Sequence, residues 1–213
     1  MQWFINTIGT SVGKKLLMAL TGLGFISFLV AHLAGNLSLY GGMDAFNSYA
    51  EHLHALGPFI KVAEMGLLTL AVIHVTTGSL LFLQNFKARP QRYTGKKWGG
   101  GRTIGSATMP YTGAIILLFV ILHLLNFHFV DKTQTTIFEI VHKAFSNPVY
   151  VAIYTLAMIV VALHISHGFW SLFQTLGANH VKYMPLIRGM GWIVSIIFAI
   201  GFGLLPIYVS LMA

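Results

Sequence analysis

Apolar residues along this chain fall into five long runs, and the polar residues collect in the gaps between them. Crossing a bilayer as a helix takes about 20 residues. The runs at 14–39, 59–86, 107–130, 148–173 and 188–211 all reach that length. The pattern predicts five transmembrane helices forming one membrane domain over residues 1–213, an all-α integral membrane protein. The first run is too long for a signal-peptide core and lacks a small-residue cleavage site, so it reads as a span. Pro58, Pro110 and Pro148 stand at or near predicted helix starts, where a missing N–H is harmless. Pro206 lies inside the last run and is expected to kink it. Between the first two runs, residues 44–56 read as a short helix capped by Asp44. Its stripe of Phe46, Tyr49, Leu53 and Leu56 predicts a helix lying flat in the membrane interface. Trp98 followed by Gly99, Gly100 and Gly101 marks a break about halfway along, with no second domain beyond it.

Composition supports the membrane reading and narrows the chemistry. Of the 213 residues, 56% are hydrophobic and 8% charged, which no ordinary soluble domain matches. The mean hydropathy is +0.76. Without cysteine, the chain can carry no disulfide, no iron–sulfur cluster and no covalently attached c-type haem. Ten of the thirteen Lys and Arg residues fall on one side of the predicted membrane: Lys14, Lys15, Lys87, Arg89, Arg92, Lys96, Lys97, Arg102, Lys182 and Arg188. All five acids (Asp44, Glu51, Glu64, Asp131 and Glu139) share the other side with Lys61, Lys132 and Lys143. The positive-inside rule then predicts a cytoplasmic N-terminus and an outside C-terminus. Topology and anionic lipid account for most of the basic loop at 87–102, with docking of a partner as a second use. In a chain this apolar, the net charge of +8 does not indicate nucleic-acid binding.

Two histidine motifs occur twice. Thr21-Gly22, nine residues, His32 returns as Thr112-Gly113, nine residues, His123. His74, three residues, Gly78 returns as His164, three residues, Gly168. All four histidines lie in predicted spans, where ionisable side chains are expensive and default to function. A single one could hydrogen-bond across a bundle or serve a proton path. Four at matched depths, one on each of the first four spans, read instead as axial ligands of two non-covalent b haems. Depth pairs His32 with His123 and His74 with His164, as does a twofold repeat about the membrane normal. Gly78 and Gly168, one turn past a ligand, would leave room for a flat macrocycle. Thr21 and Thr112 fall on the histidine face of their helices and read as packing residues beside the haem rather than as ligands. The remaining histidines (His52, His54, His128, His142, His167 and His180) read as surface, propionate or quinone-site residues.

With these residues in hand, the chain resembles the five-helix, di-haem cytochrome b membrane anchor of succinate dehydrogenases and fumarate reductases. The resemblance covers nearly its whole length. It rests on Thr21-Gly22-Leu23-Gly24 with Ala31-His32-Leu33, on Asp44-Ala45-Phe46-Asn47-Ser48, on Thr112-Gly113 with His123, and on His164-Ile165-Ser166-His167-Gly168-Phe169-Trp170. It implies that His32 and His123 hold a distal haem, His74 and His164 a proximal one. It further implies an FAD-carrying flavoprotein and an iron–sulfur subunit docked on the cytoplasmic face of a bacterial inner membrane. A dimer of such complexes stays open. The dicarboxylate chemistry would belong to those partners, and this chain would carry electrons to or from a membrane quinone, menaquinone by the five-helix type. The family places the quinone toward the outside, where Glu51, His54 and His128 are candidates to exchange its protons. Where some members have a glutamate two residues before the fourth-span ligand, this chain has Ala162. Two other functions compete: the cytochrome b anchor of a hydrogenase or formate dehydrogenase, and a non-redox transporter with an interior histidine cluster.

Overall fold

A computed structural model of the chain describes residues 2, 7, 9–88 and 103–212. Five of the basic residues named above (Arg89, Arg92, Lys96, Lys97 and Arg102) and the Trp98–glycine break lie outside the described residues. Within them the chain is helical, with no strand: α1 Ser11–Asn36, a 3-10 turn Leu37–Gly41, α2 Gly42–Ala55, α3 Pro58–Lys87, α4 Ile104–Phe127, α5 Ile137–Phe145, α6 Pro148–Thr175 and α7 Met184–Ser210. Five of these (α1, α3, α4, α6 and α7) are long and apolar enough to cross a membrane, and the chain is a multi-pass membrane protein.

Local chemistry sets where each helix begins. Thr10 accepts the Gly13 N–H at the start of α1, and Asn147 with Pro148 opens α6. Gly57, at φ +55°, turns the chain into Pro58 and α3. Helix α4 starts earlier than its apolar run suggests, because Thr103 and Ser106 close a reciprocal capping box. Pro110 therefore lies inside α4 rather than at its start. Asp44 is not the cap of α2. The 3-10 turn and Gly42, at φ +83°, make the reversal, and Asp44 falls in the first turn. There its charge faces the positive end of the helix dipole. Of the predicted α2 stripe Phe46 is buried, whereas Tyr49, Leu53 and Leu56 are exposed. Helix α7 contains Pro206 and continues past it to Ser210.

The sequence reading did not anticipate α5. A second capping box, Thr136 with Glu139, starts this amphipathic helix. The Thr136 backbone N–H, then its hydroxyl, donates to the Glu139 carboxyl and holds it below the usual carboxylate range. The Phe138 N–H donates to Asn47 Oδ1 at 3.0 Å, tying α5 to α2 at one end of the bundle.

Helices α1, α3, α4 and α6 form the bundle. Neighbours α1–α3, α4–α6 and α1–α6 pack closely, whereas α3 and α4 barely touch. Helix α1 thus stands diagonally across from α4, and α3 across from α6. Helix α7 lies outside this group, chiefly against α6, and breaks the twofold pattern. Leu33, Ala157, Met158, Val161, Ile165, Phe169 and Phe198 form the core of the α1–α6–α7 seam. A second core of Leu39, Phe46, Val141, Phe145, Tyr154, Leu205 and Val209 lies beneath α2 and α5. Lipid is as apolar as these side chains, so close packing and hydrogen bonds between helices do the holding.

One close approach that involves backbone lies between α4 and α6 at Gly105. A methyl group there would stand 2.9 Å from His167 Cβ and 3.1 Å from the Leu163 carbonyl oxygen. Neither can retreat without moving a helix, so Gly105→Ala is expected to destabilise the bundle by about 1–3 kcal/mol. Thermal unfolding in detergent checks this, and an unchanged midpoint would mean a looser seam.

Candidate functional site

The repeat positions its histidines symmetrically. His32 and His123 each stand four residues before the end of their helices, Asn36 and Phe127. His74 is sixteen residues after Pro58, and His164 is sixteen after Pro148. Folding brings His32 to His123 across the α1–α4 diagonal, with ring centroids 5.8 Å apart. It brings His74 to His164 across the α3–α6 diagonal, at 6.4 Å. The eleven-residue offset from Thr21, beside His74, to His32 on α1 separates the two levels by about 16 Å. The same interval separates Thr112 from His123 on α4.

Aromatic side chains frame the pair nearer α2 and α5. Phe28 stacks on His32 at 5.1 Å, and Phe202 of α7 lies 5.5 Å from the same ring. Phe119, Phe127 and Tyr154 surround His123, and the Tyr154 hydroxyl accepts a 3.1 Å hydrogen bond from Asn126. The His123 Nδ1 atom is buried without a partner among the described residues.

The other pair is held differently. Thr21 Oγ1 lies 2.9 Å from His74 Nδ1, and Thr112 Oγ1 lies 3.1 Å from His164 Nδ1. The two threonines therefore do more than pack. A Cβ added at Gly22 would sit 3.8 Å from His74 Cε1, and one at Gly113 3.5 Å from His164 Cε1. Each Thr-Gly pair is thus a seat for the histidine of a neighbouring helix, α1 for His74 of α3 and α4 for His164 of α6. The repeated dipeptide was visible in the sequence, but its partner on another helix was not. A Cβ added at Gly168 would meet nothing within 4 Å, whereas one at Gly78 would sit 3.4 Å from the Met18 side chain. His167 packs its ring on Trp170, which in turn carries the Arg188 guanidinium on its ring.

Each pair supplies two imidazole donors, and no group of three His, Cys, Asp or Glu side chains occurs among the described residues. A structural zinc ion takes four protein ligands, so these are not sites for a bare ion of that kind. Two imidazoles on opposite sides of one metal, each bonded at about 2 Å, have ring centres roughly 6 Å apart. Both observed spacings are compatible with one metal held between the two rings of a pair.

At the end carrying α2 and α5, His54, Gly57, Pro58, Ile60, Lys61 and Glu64 line a cavity of about 350 Å³. His128 Nδ1 approaches Glu64 Oε1 at 3.8 Å, joining the end of α4 to the start of α3. The side chains are 42% and 48% exposed, so the pair contributes under about 1 kcal/mol to stability. Its interest is chemical rather than structural. Of the three candidates read from the sequence, His54 lines the cavity with Glu64, His128 approaches Glu64, and Glu51 is exposed on α2 and does not line the cavity.

No family model matches the chain, and no solved structure matches it significantly. A curated relative, the succinate dehydrogenase cytochrome b558 subunit of Bacillus subtilis (strain 168), is 25% identical over 151 residues, which are 70% of this chain and 72% of that protein. The resemblance read from the sequence is thereby borne out: the chain is similar to a succinate dehydrogenase cytochrome b subunit.

Proposed function

We propose that the chain is the cytochrome b anchor of a succinate:quinone oxidoreductase, carrying electrons between a docked iron–sulfur subunit and a membrane quinone. The observation that carries this reading is the pair of diagonal His–His contacts, repeated in both halves of the bundle at a spacing that suits one metal between each pair. The name of the Bacillus relative supports haem b and a dehydrogenase partner. His32 and His123 would hold one haem b, His74 and His164 the other, within a single membrane domain. When bound, the two haems supply reversible one-electron chemistry at two depths of a hydrocarbon core about 30 Å thick.

The chain's own residues supply the rest. The four helices enclose the imidazoles in part, and the aromatic collar of Phe28, Phe119, Phe127 and Tyr154 flanks the outer pair. The charge asymmetry supports an N-terminus in the cytoplasm, which puts the α2–α5 end outside. The flavoprotein and iron–sulfur subunit then dock at the opposite, basic end, leaving the outer end to the quinone. There Glu64 Oε1 and His128 Nδ1 are the groups able to exchange protons with the quinone oxygens, with His54 beside them.

A pyridine-haemochrome assay with a reduced-minus-oxidised spectrum on the purified chain tests the reading. Two haems b per chain are expected. A well-folded preparation that binds none would overturn it and favour transport.

A further inference from the structure

We infer that Thr21 and Thr112 are positioning residues, each accepting the Nδ1 proton of the histidine on the neighbouring helix and so keeping Nε2 of His74 and His164 free to bind metal. This rests on the ligand role proposed above. The protonation follows from counting hydrogens. A threonine hydroxyl has one hydrogen and two lone pairs. Thr21 Oγ1 is 2.7 Å from the Leu17 carbonyl oxygen, and Thr112 Oγ1 is 3.1 Å from those of both Thr108 and Met109. The hydroxyl hydrogen is thus given to the threonine's own helix, and the oxygen can only accept from the ring. Thr21 is 3% exposed and Thr112 5%, so water does not compete. The neutral ring has one N–H, and its place at Nδ1 leaves the lone pair on Nε2.

The arrangement occurs twice at equivalent places and is absent from the other histidine pair. His123 Nδ1 has no partner among the described residues. Among the described residues the His32 Nδ1 atom has the Asn36 amide nitrogen at 3.4 Å, a group that donates and cannot accept a ring proton. The fold therefore distinguishes its two metal levels by what stands behind the ligands. An Nδ1–H donated to oxygen makes the imidazole more basic toward the metal, which favours the oxidised state. Loss of that bond should raise the midpoint potential of the His74–His164 haem and weaken its retention by about ten- to a hundredfold.

The test is a redox titration, followed by the optical spectrum and by the low-spin EPR signal, on the intact complex carrying Thr112→Val or Thr112→Ser. Haem is counted in wild type first. Valine keeps the shape without the hydroxyl, and serine keeps the hydroxyl. The expected result is that valine moves one haem to a more positive potential and alters its EPR signal, serine restores both, and the second haem stays where it was. Thr21→Val should act on the same haem and add to the effect. Valine and serine variants that behave alike, or potentials that do not move in a chain holding two haems, would overturn the positioning role alone. A wild type without haem would overturn the functional reading as well.

Discussion

His164→Ala is expected to leave a folded chain with one haem in place of two and to abolish most electron transfer from the partner subunits to quinone. The substitution removes one of the two paired donors at its level, and among the described residues no third His, Cys, Asp or Glu completes a cluster there. The helix itself should survive. Helix α6 is held against α7 and α1 by Ala157, Met158, Val161, Ile165 and Phe169, on the core seam. The nearest rescue would come from His167, one turn away, but its ring packs edge-on against Trp170 and its Cβ lies against Gly105. His167→Ala should accordingly keep both haems, and His32→Ala should lose the other haem. Pyridine haemochrome and optical spectra of the three variants decide the matter. Two haems remaining in His164→Ala would remove this histidine from the ligand set.

Glu64→Gln is expected to lower quinone turnover by about a hundredfold while leaving haem content unchanged, because a positioned proton donor contributes on the order of 10²–10⁴ in rate. The amide keeps the size of the side chain and ends its ability to take and return a proton. Stability should hardly change, since the half-exposed contact with His128 contributes so little. His128→Gln should show a smaller loss in the same assay, whereas Glu51→Gln, away from the cavity, should behave like wild type. Equal losses from all three would point to a general charge effect at this surface rather than a relay.

Much of the architecture was legible before folding, because lipid imposes a simple rule on sequence. A span must be apolar over its whole length, so the five helices announced themselves and their ends erred by only a few residues. The errors have local causes. The Thr103–Ser106 box extended α4 backwards past the apolar run and drew Pro110 inside. Gly42 took the reversal that Asp44 was expected to cap. Helix α5 escaped notice because nine residues carry too short a periodic signal, and its Thr136–Glu139 box lies in a polar segment that resembles any loop.

At the site, the sequence by itself determined the four histidines, their grouping by depth and the repeat that relates them, since a helix converts residue number into height at about 1.5 Å per residue. It could not determine what lies behind each ring. Height says nothing of azimuth between helices, and a hydrogen bond between residues 53 positions apart, such as Thr21 with His74, depends on which helices are neighbours. The tertiary structure alone decided that α1 neighbours α3 while facing α4 across the bundle. It likewise decided that, among the described residues, Thr-Gly dipeptides seat one pair of histidines and not the other, and that Glu64, a solitary acid in an apolar run, meets His128 at the α2–α5 end of the bundle.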